Sequence, residues 1–465
     1  MFFQSPGFLL LLLPVALACV ALAPRGTART VVLVTLSYLF YSGAEPLFVG
    51  LLLFSSVVDF FVARRIAAAE FLARRRAWLG ISITVNLLTL GVFKYGATMV
   101  AATSSPEQIA ASASLTYLRD LVLPAGISFY TFQSMSYSID VYRRVVEPTR
   151  DFAGFLAYVA YLPQLIAGPI ERFSSLYPQL QSMVLGQAQR LWSAGFDRLS
   201  IGIAQKLLLA DSCGRIVDRI AAVDGQLDLI MSWLFAIAFG LQIYYDFAGY
   251  TNMAIGVSLL FGIRLSENFL SPYRALSIQD FWRRWHITLS HWFRDYVYIP
   301  LGGSANGLTR TSANLFLTMA LCGLWHGAGW NYVAWGIGHG LALAGQRIWR
   351  TAGLFAMPAL LSGLITYVTV HFLWVVFRLD DPFQVVQMWQ EMLGLHGVER
   401  PPLLWDVAFV GALAVATFVV PNCAQRWPGS APGWFGVLES GVLWLLAAAA
   451  ILSSPQLHQF IYFQF

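Results

Sequence analysis

Long apolar stretches separated by short polar breaks are the feature that most constrains this chain. In the first third of the sequence they occupy residues 7–23, 31–43, 46–63, 78–100 and 121–141. Several approach the roughly 20 residues that an α-helix needs to cross a bilayer. Only 11% of the residues are charged, against about 25% in soluble domains. A soluble protein with so few charges could not cover its own surface.

The same pattern continues to the end of the chain. Further apolar runs lie near residues 199–210, 229–248, 250–263, 312–324, 330–346, 358–378, 404–421 and 434–452. Hydrophobic residues make up 58% of 465, which is enough for at most roughly thirteen spans of about 20 residues. We therefore predict an all-α, polytopic integral membrane protein with about 11–13 membrane helices and re-entrant segments. No repeat or linker divides the sequence, so we predict a single domain over residues 1–465.

Arginine clusters predict the orientation of the first half. Five arginines lie within residues 63–77 and three within 143–150, and such clusters favour the cytoplasmic side of a membrane. Counting helices outward from residues 63–77 places the N-terminus on the periplasmic side. The leading MFFQSPG segment carries no Lys or Arg, so residues 7–23 are interpreted as the first span rather than a signal peptide.

After residue 150 the apolar stretches and polar breaks no longer alternate regularly. Residues 152–170 are apolar but end in a segment interrupted by Pro163, Gly168 and Pro169. Irregular backbone at membrane depth is tolerated only when it is buried in protein or lines a wet cavity, so a re-entrant segment is expected here. Residues 171–198 are polar and amphipathic, which predicts a segment along the membrane interface.

His326 is the first candidate for chemistry among the seven histidines, which are His286, His291, His326, His339, His371, His396 and His458. It lies between Cys322 and Trp330 in the run CGLWHGAGW, where small residues leave room beside a titratable ring and Trp325 and Trp330 provide aromatic walls. Ionisable residues inside a membrane are candidates for function. A neutral histidine packed between helices through nearby glycines is an equally good interpretation.

His286 lies in the polar run between Gln279 and Tyr296. If this run is one helix, Trp282, Trp285 and His286 share a face, and the adjacent Arg283 and Arg284 form a basic mouth for a phosphorylated ligand. On pattern alone, an interfacial helix whose arginines reach the lipid headgroups is the better interpretation. A shared metal is not expected, because His286 and His291 lie on different helix faces and no HExxH motif occurs.

Three further features of the sequence are weaker candidates for a role in the site. Cys322 precedes His326 by four residues, but an isolated thiol in an apolar run is more often an inert small hydrophobe than half of a Cys–His dyad. His339 is interpreted as a helix-packing residue or a group supporting the site, with packing preferred. Glu267 and Asn268 form a polar break that is a candidate cavity lining. The four cysteines indicate no disulfide framework.

Several of these runs together resemble one enzyme family. The runs Asp280–Ser290, Trp292–Gly303, Gly323–Ala328 and Ser266–Tyr273 are similar to motifs of the membrane-bound O-acyltransferase (MBOAT) family. Val146–Arg150, Pro163–Arg172 and the terminal Phe460–Phe465 resemble the bacterial alginate O-acetylation branch in particular. The motifs are densest in residues 120–350 and occur in family order, which makes the resemblance specific.

The resemblance implies a function and a set of site residues. The family's catalytic histidine corresponds to His326, and its second motif histidine to His286, which would position a thioester or polarise its carbonyl. Arg283, Arg284 and Trp325 are expected to bind the donor, with His326 near the midplane of a central funnel or tunnel. The expected donor is acetyl-CoA or an acyl-carrier thioester, with no tightly bound cofactor.

The resemblance also implies partners and a location. The expected location is the bacterial inner membrane, where an acetyl group would be moved across the bilayer for O-acetylation of an exopolysaccharide such as alginate. Periplasmic acetyltransferases and the polysaccharide synthase machinery are the expected partners, and nucleic acid is not. The alternatives are D-alanyl transfer to teichoic acid by the same chemistry, a transporter of the acyl donor or polysaccharide, and a non-catalytic scaffold.

Overall fold

The computed structural model describes residues 3–44, 46–183, 185–223, 225–395, 403–426, 434–453 and 460–461. Within these residues all regular secondary structure is helical, which confirms the all-α prediction. His396, His458 and the last four residues of the C-terminal motif lie outside them.

The α-helices follow one another along the whole chain. In chain order they are α1 (Leu13–Leu22), α2 (Thr27–Ala44), α3 (Val49–Ala68), α4 (Leu72–Thr103), α5 (Pro106–Ala111), α6 (Ala113–Arg119), α7 (Ile127–Tyr142), α8 (Phe152–Val159), α9 (Phe173–Gln181), α10 (Leu185–Ala204), α11 (Asp211–Ala221), α12 (Leu229–Leu260), α13 (Ile278–Arg284), α14 (Ile287–Phe293), α15 (Gly307–His326), α16 (Trp330–Thr351), α17 (Ala359–Arg378), α18 (Pro382–Met392), α19 (Leu404–Val419), α20 (Cys423–Arg426) and α21 (Trp434–Ser453). Short π-helices cover Phe8–Leu12, Gln205–Ala210 and Arg294–Tyr298, and 3₁₀ turns cover Pro46–Phe48 and Pro272–Arg274.

Five helical segments of the described chain are long and apolar enough to cross a membrane. They are Pro46–Ala68, Leu72–Thr103, Leu229–Leu260, Ala359–Arg378 and Leu404–Gln425. Two shorter apolar helices cover Phe8–Leu22 and Gly441–Leu452. The polytopic prediction is therefore confirmed, while the count of about 11–13 spans stays a prediction.

The contacts divide the chain into two compact units. The first comprises Met1–Leu199 and Thr251–Ser266, and the second comprises Ser200–Tyr250 and Glu267–Phe465. Every residue predicted to act in the site belongs to the second unit. The single-domain interpretation stays a prediction.

A buried carboxylate ties three helices of the first unit together. Asp59 of α3 is fully buried and accepts a hydrogen bond from Asn86 Nδ2 of α4 at 2.8 Å. It also accepts hydrogen bonds from the hydroxyl groups of Ser82, Ser134 and Ser138. A buried charge or polar group away from water is costly unless it is hydrogen-bonded. This cluster therefore holds α3 against α4 and α7.

The predicted break after residue 150 is present in the first unit. Helix α8 ends at Val159 and α9 begins at Phe173, and all the residues between them except Arg172 are buried. Buried side chains bind the last turn of α8, where this segment begins: the side-chain amides of Gln133 and Gln164 donate to the Tyr158 carbonyl at 2.6 and 2.9 Å. The break is thus enclosed in protein, as irregular backbone at membrane depth requires. Its re-entrant course through a bilayer stays a prediction.

Two glycines set the distance between α15 and α16 in the second unit. A Cβ at Gly323 would lie 2.1 Å from the Tyr332 carbonyl oxygen, and one at Gly336 would lie 2.2 Å from the Met319 carbonyl oxygen. No side chain can be accommodated at these contacts unless the backbone shifts. The helices approach closely because glycine occupies both positions, and this packing fixes where His326, the last residue of α15, lies.

We expect Gly336→Ala to destabilise the protein by about 1–3 kcal/mol, the usual cost of overpacking a core. The matched control is Gly345→Ala on the same helix, where an added Cβ meets nothing within 4 Å. The melting temperature of each variant in detergent, monitored by size-exclusion chromatography after heating, measures the loss of stability. Equal melting temperatures for the two variants would contradict the close-packing account.

Candidate active site

His326 lies at the C-terminal end of α15 inside a group of aromatic rings. Its side chain is 4% exposed. The centroid of its ring lies 4.9 Å from that of Trp325, 5.1 Å from that of Trp335 and 5.6 Å from that of Phe377, each edge to face. These rings hold the imidazole in one orientation and exclude bulk water.

His286 occupies a break between two helices. Helix α13 ends at Arg284 and α14 begins at Ile287, and His286 between them has a φ of 41°. A non-glycine residue in this left-handed region is strained, and such residues cluster at functional sites. The single helix considered for residues 279–296 is therefore wrong.

A distant asparagine is the physical reason for this break. Asn268 is fully buried, and its carbonyl accepts a hydrogen bond from the Ile287 amide at 3.0 Å. Its side-chain oxygen accepts a second from Thr288 Oγ1 at 2.7 Å. The Leu270 amide also donates to the Arg284 carbonyl at 3.0 Å. These contacts replace the bonds that a continuous helix would make, so the polar break at Asn268 shapes the site.

The break brings the two candidate histidines to one indole. The His286 ring packs against Trp325 with a centroid separation of 6.1 Å, and Trp325 also contacts His326. Phe247 packs edge to face on His286 at 4.6 Å. His286 lies outside the five candidate spans, and burial lowers its pKa to about 3. It is therefore neutral at physiological pH.

The two adjacent arginines differ in their surroundings. Arg284 Nε lies 2.9 Å from Asp280 Oδ1 one helical turn earlier, and its guanidinium also donates to the Leu270 carbonyl at 3.3 Å. Arg283 is exposed and lines a cavity. Arg284 thus stabilises α13 and the break, whereas Arg283 faces a space that can hold a ligand.

The cavity that Arg283 lines has a volume of about 320 Å³. Arg294, Arg347 and Arg350 also line it, together with Trp282 and Cys322. No carboxylate occurs among its described lining residues. Arginine binds phosphate groups in a bidentate manner, so this cavity, which we call the arginine cavity, suits an anionic ligand with an apolar part.

A second cavity of about 470 Å³ has paired charges. Lys206 Nζ in its wall lies 2.7 Å from Asp211 Oδ1 and 2.6 Å from Asp246 Oδ1, and the Ile461 amide donates to Asp246 Oδ2 at 2.8 Å. A guanidinium nitrogen of Arg378 lies 3.6 Å from Asp218 Oδ1. Because its cations are matched by carboxylates, this cavity, which we call the paired-charge cavity, does not favour a multiply charged anion.

Residues on either side of His326 in the sequence line the two cavities. Cys322, one turn before His326 on α15, lines the arginine cavity, and Gly329, three residues after it, lines the paired-charge cavity. His326 and Trp325 themselves are in neither described lining. His326 is thus buried in the short stretch of sequence between a residue of one lining and a residue of the other.

Other residues have roles that the sequence did not predict. Trp282 Nε1 donates to His339 Nδ1 at 3.3 Å, and His371 Nδ1 lies 2.8 Å from the Tyr367 carbonyl oxygen. The Lys206 ion pairs were also missed. Lysine is rare here, with only Lys94 and Lys206 in the chain, and a lysine within an apolar run was a usable signal for a buried ion pair.

The fold and the site define a multi-pass helical membrane protein with two buried candidate histidines. Comparison with known proteins identifies the family. Residues 143–377 match the model described as MBOAT, membrane-bound O-acyltransferase family. The chain belongs to this family and is an O-acyltransferase. The transporter and scaffold alternatives are therefore set aside.

Curated relatives match across most of the chain. "Probable alginate O-acetylase AlgI" of Pseudomonas putida is 35% identical over 497 residues and covers all of both chains. "Peptidoglycan O-acetyltransferase" of Helicobacter pylori is 35% identical over 85% of this chain and 80% of its own. A teichoic acid D-alanyltransferase of Streptococcus thermophilus is more distant, at 28% identity over 54% of this chain and 67% of its own.

We expect Asn268→Ala to destabilise the protein by about 1–3 kcal/mol, because it leaves the buried Thr288 hydroxyl without its acceptor. The thermal unfolding midpoint in detergent measures the loss. The exposed Asn306, which makes no side-chain capping bond to α15, provides the control variant Asn306→Ala. If Asn268→Ala lowers the unfolding midpoint no more than Asn306→Ala does, the Asn268 side chain does not hold the break.

Proposed function

We propose that this O-acyltransferase takes an acetyl group from a cytoplasmic thioester and delivers it to a hydroxyl acceptor on the periplasmic side, for O-acetylation of an exopolysaccharide such as alginate. The observation that carries the proposal is that His326 is buried among aromatic rings, and that residues on either side of it in the sequence, Cys322 and Gly329, line two cavities of different charge. The names of the relatives from Pseudomonas putida and Helicobacter pylori support an acetyl group as the cargo. The lower identity and coverage of the D-alanyltransferase make D-alanyl transfer the weaker alternative.

The arginine cavity is the proposed donor site. Coenzyme A and the phosphopantetheine of a carrier protein both end in a narrow thiol-bearing arm attached to phosphate. Arg283 and its neighbouring arginines would hold the phosphates at the rim while the arm passes Trp282 and Cys322 toward His326. An excess of arginine also favours the cytoplasmic side of a membrane, where the thioester is made.

The paired-charge cavity is the proposed acceptor site. Its aspartates can accept hydrogen bonds from hydroxyl groups, and Lys206 and Arg378 in its wall are already engaged with carboxylates. This balance suits a neutral hydroxyl-bearing group better than a polyanion. The immediate acceptor is therefore a single hydroxyl, and a serine of a periplasmic acetyltransferase partner would satisfy it as well as a sugar.

His326 is the proposed general base. Its imidazole takes the proton of the acceptor hydroxyl as that oxygen attacks the thioester carbonyl carbon. The tetrahedral intermediate then collapses, the carbon–sulfur bond breaks, and the same proton passes to the thiolate leaving group. A well-placed base contributes about 10²–10⁴-fold in rate. Neutral His286 and Trp325, which His286 contacts, position the thioester beside this base.

Location and partners follow from the same arrangement. The chain is a multi-pass membrane protein, and we place it in the bacterial inner membrane with its N-terminus in the periplasm, as the arginine clusters indicate. No tightly bound cofactor is required, because the thioester brings its own activated carbonyl. Periplasmic acetyltransferases and the polysaccharide synthase would then receive the acetyl group.

We expect His326→Ala to abolish acetylation of the acceptor, because the substitution removes the imidazole that we propose takes the proton of the acceptor hydroxyl. Acetyl release from radiolabelled acetyl-CoA in membranes measures the loss, and immunoblotting together with size-exclusion chromatography checks that the folded protein is present in normal amount. Wild-type acetyl transfer by a folded His326→Ala protein would remove the assignment.

We expect Arg283→Gln to raise the KM for acetyl-CoA about tenfold, the equivalent of about 1.4 kcal/mol, with little change in kcat. Arg310→Gln is the matched control, since Arg310 is an exposed arginine of α15 outside the cavity lining. Initial rates measured against acetyl-CoA concentration, at low and raised salt, give the KM of each variant. A donor KM that responds equally to both substitutions would place the donor elsewhere.

A further inference from the structure

Trp335 carries a buried hydrogen-bond donor beside the proposed base. Its side chain is fully buried, and its ring centroid lies 5.1 Å from that of His326. The indole Nε1–H has no hydrogen-bond partner among the described residues. An indole nitrogen can only donate, and a buried donor left unpaired costs about 1–3 kcal/mol. Such a group in a native protein requires an explanation.

His339 carries a second donor of the same kind. Its Nδ1 accepts a hydrogen bond from Trp282 Nε1 at 3.3 Å, and because the indole can only donate, the proton of the neutral imidazole must be on Nε2. His339 is fully buried, and Nε2 has no partner among the described residues. Trp282 thus holds His339 in the tautomer that donates from Nε2.

The two donors lie side by side on α16. Trp335 and His339 are four residues apart, which puts them on one face of the helix, and their ring centroids are 4.9 Å apart. The glycine contacts of α15 and α16 hold this face against His326. Two preorganised donors in a water-excluded site next to a base are what the oxyanion of an acyl-transfer intermediate requires.

We infer that Trp335 and His339 are further catalytic residues, whose Nε1–H and Nε2–H bind the oxyanion formed when the acceptor hydroxyl attacks the thioester. Trp282 is then a positioning residue that fixes the His339 tautomer. This inference rests on the proposed function. The oxyanion carries the electron pair of the thioester carbonyl, and the pair returns to the carbonyl as the carbon–sulfur bond breaks.

The test is to remove each N–H while keeping the ring shape. Trp335→Phe removes the donor, and replacement of Trp335 by 3-benzothienylalanine does so with an almost identical outline. Each is expected to lower kcat about 10²–10³-fold, the usual loss for one oxyanion donor, with the KM for acetyl-CoA unchanged. His339→Leu is expected to do the same, and His339→Gln, which keeps a donor at a similar reach, to recover part of the rate.

Trp389→Phe is the matched control. It also removes an indole N–H, but one that donates to the Phe372 carbonyl at 3.0 Å, so a structural loss alone should lower stability and leave kcat near the wild-type value. Full kcat in folded Trp335→Phe or benzothienylalanine protein would overturn the inference. If Trp335→Phe does not accumulate, the benzothienylalanine variant decides alone. Full kcat at position 335 together with an inactive His326→Ala protein would reject only the oxyanion site, whereas an active His326→Ala protein would reject the proposed function.

Discussion

The close approach of α15 and α16 is the contact on which the rest of the site depends. Gly323 faces the Tyr332 carbonyl, and Gly336 faces the Met319 carbonyl, at distances that leave no room for a side chain. This approach places the end of α15, with Trp325 and His326, against the face of α16 that carries Trp335 and His339. The aromatic rings fill the remaining space, so the imidazole is held in a dry environment where hydrogen bonds and partial charges act more strongly than in water.

The proposed base can act only when its substrates reach it, and two cavities of unlike charge in the second unit are the routes we propose. The arginine cavity suits an anionic ligand, whereas the paired-charge cavity holds Lys206 and Arg378 in ion pairs. In the function we propose, separate cavities for donor and acceptor also keep water away from the thioester until the acceptor hydroxyl is present. The difference in charge between the two cavities is what gives the proposed transfer its direction.

Patterns local in sequence predicted much of this molecule. Apolar runs and scarce charge predicted a helical membrane protein, and the interrupted segment after residue 150 predicted irregular backbone. The motif around His326 predicted aromatic walls, and Trp325 does pack on its ring, but Trp330 is exposed and the other rings come from Trp335 and Phe377. Features that depend on distant contacts were missed. The break at His286 is set by Asn268, which local periodicity cannot register. The tautomer of His339 likewise depends on Trp282, 57 residues away in sequence. Apolar runs also do not all fold as single α-helices: the run near residues 199–210 ends in the π-helical turn Gln205–Ala210.

The central proposal is that a single buried imidazole serves a donor from one face of the bilayer and an acceptor from the other. Proteoliposomes with the protein in one orientation test it directly, with radiolabelled acetyl-CoA added only on the side of the arginine cavity and a hydroxyl acceptor confined to the opposite side. The account predicts that the label appears on the confined acceptor, and that the same donor placed on the acceptor side gives none. Label that reaches only acceptors on the donor's own side would contradict it.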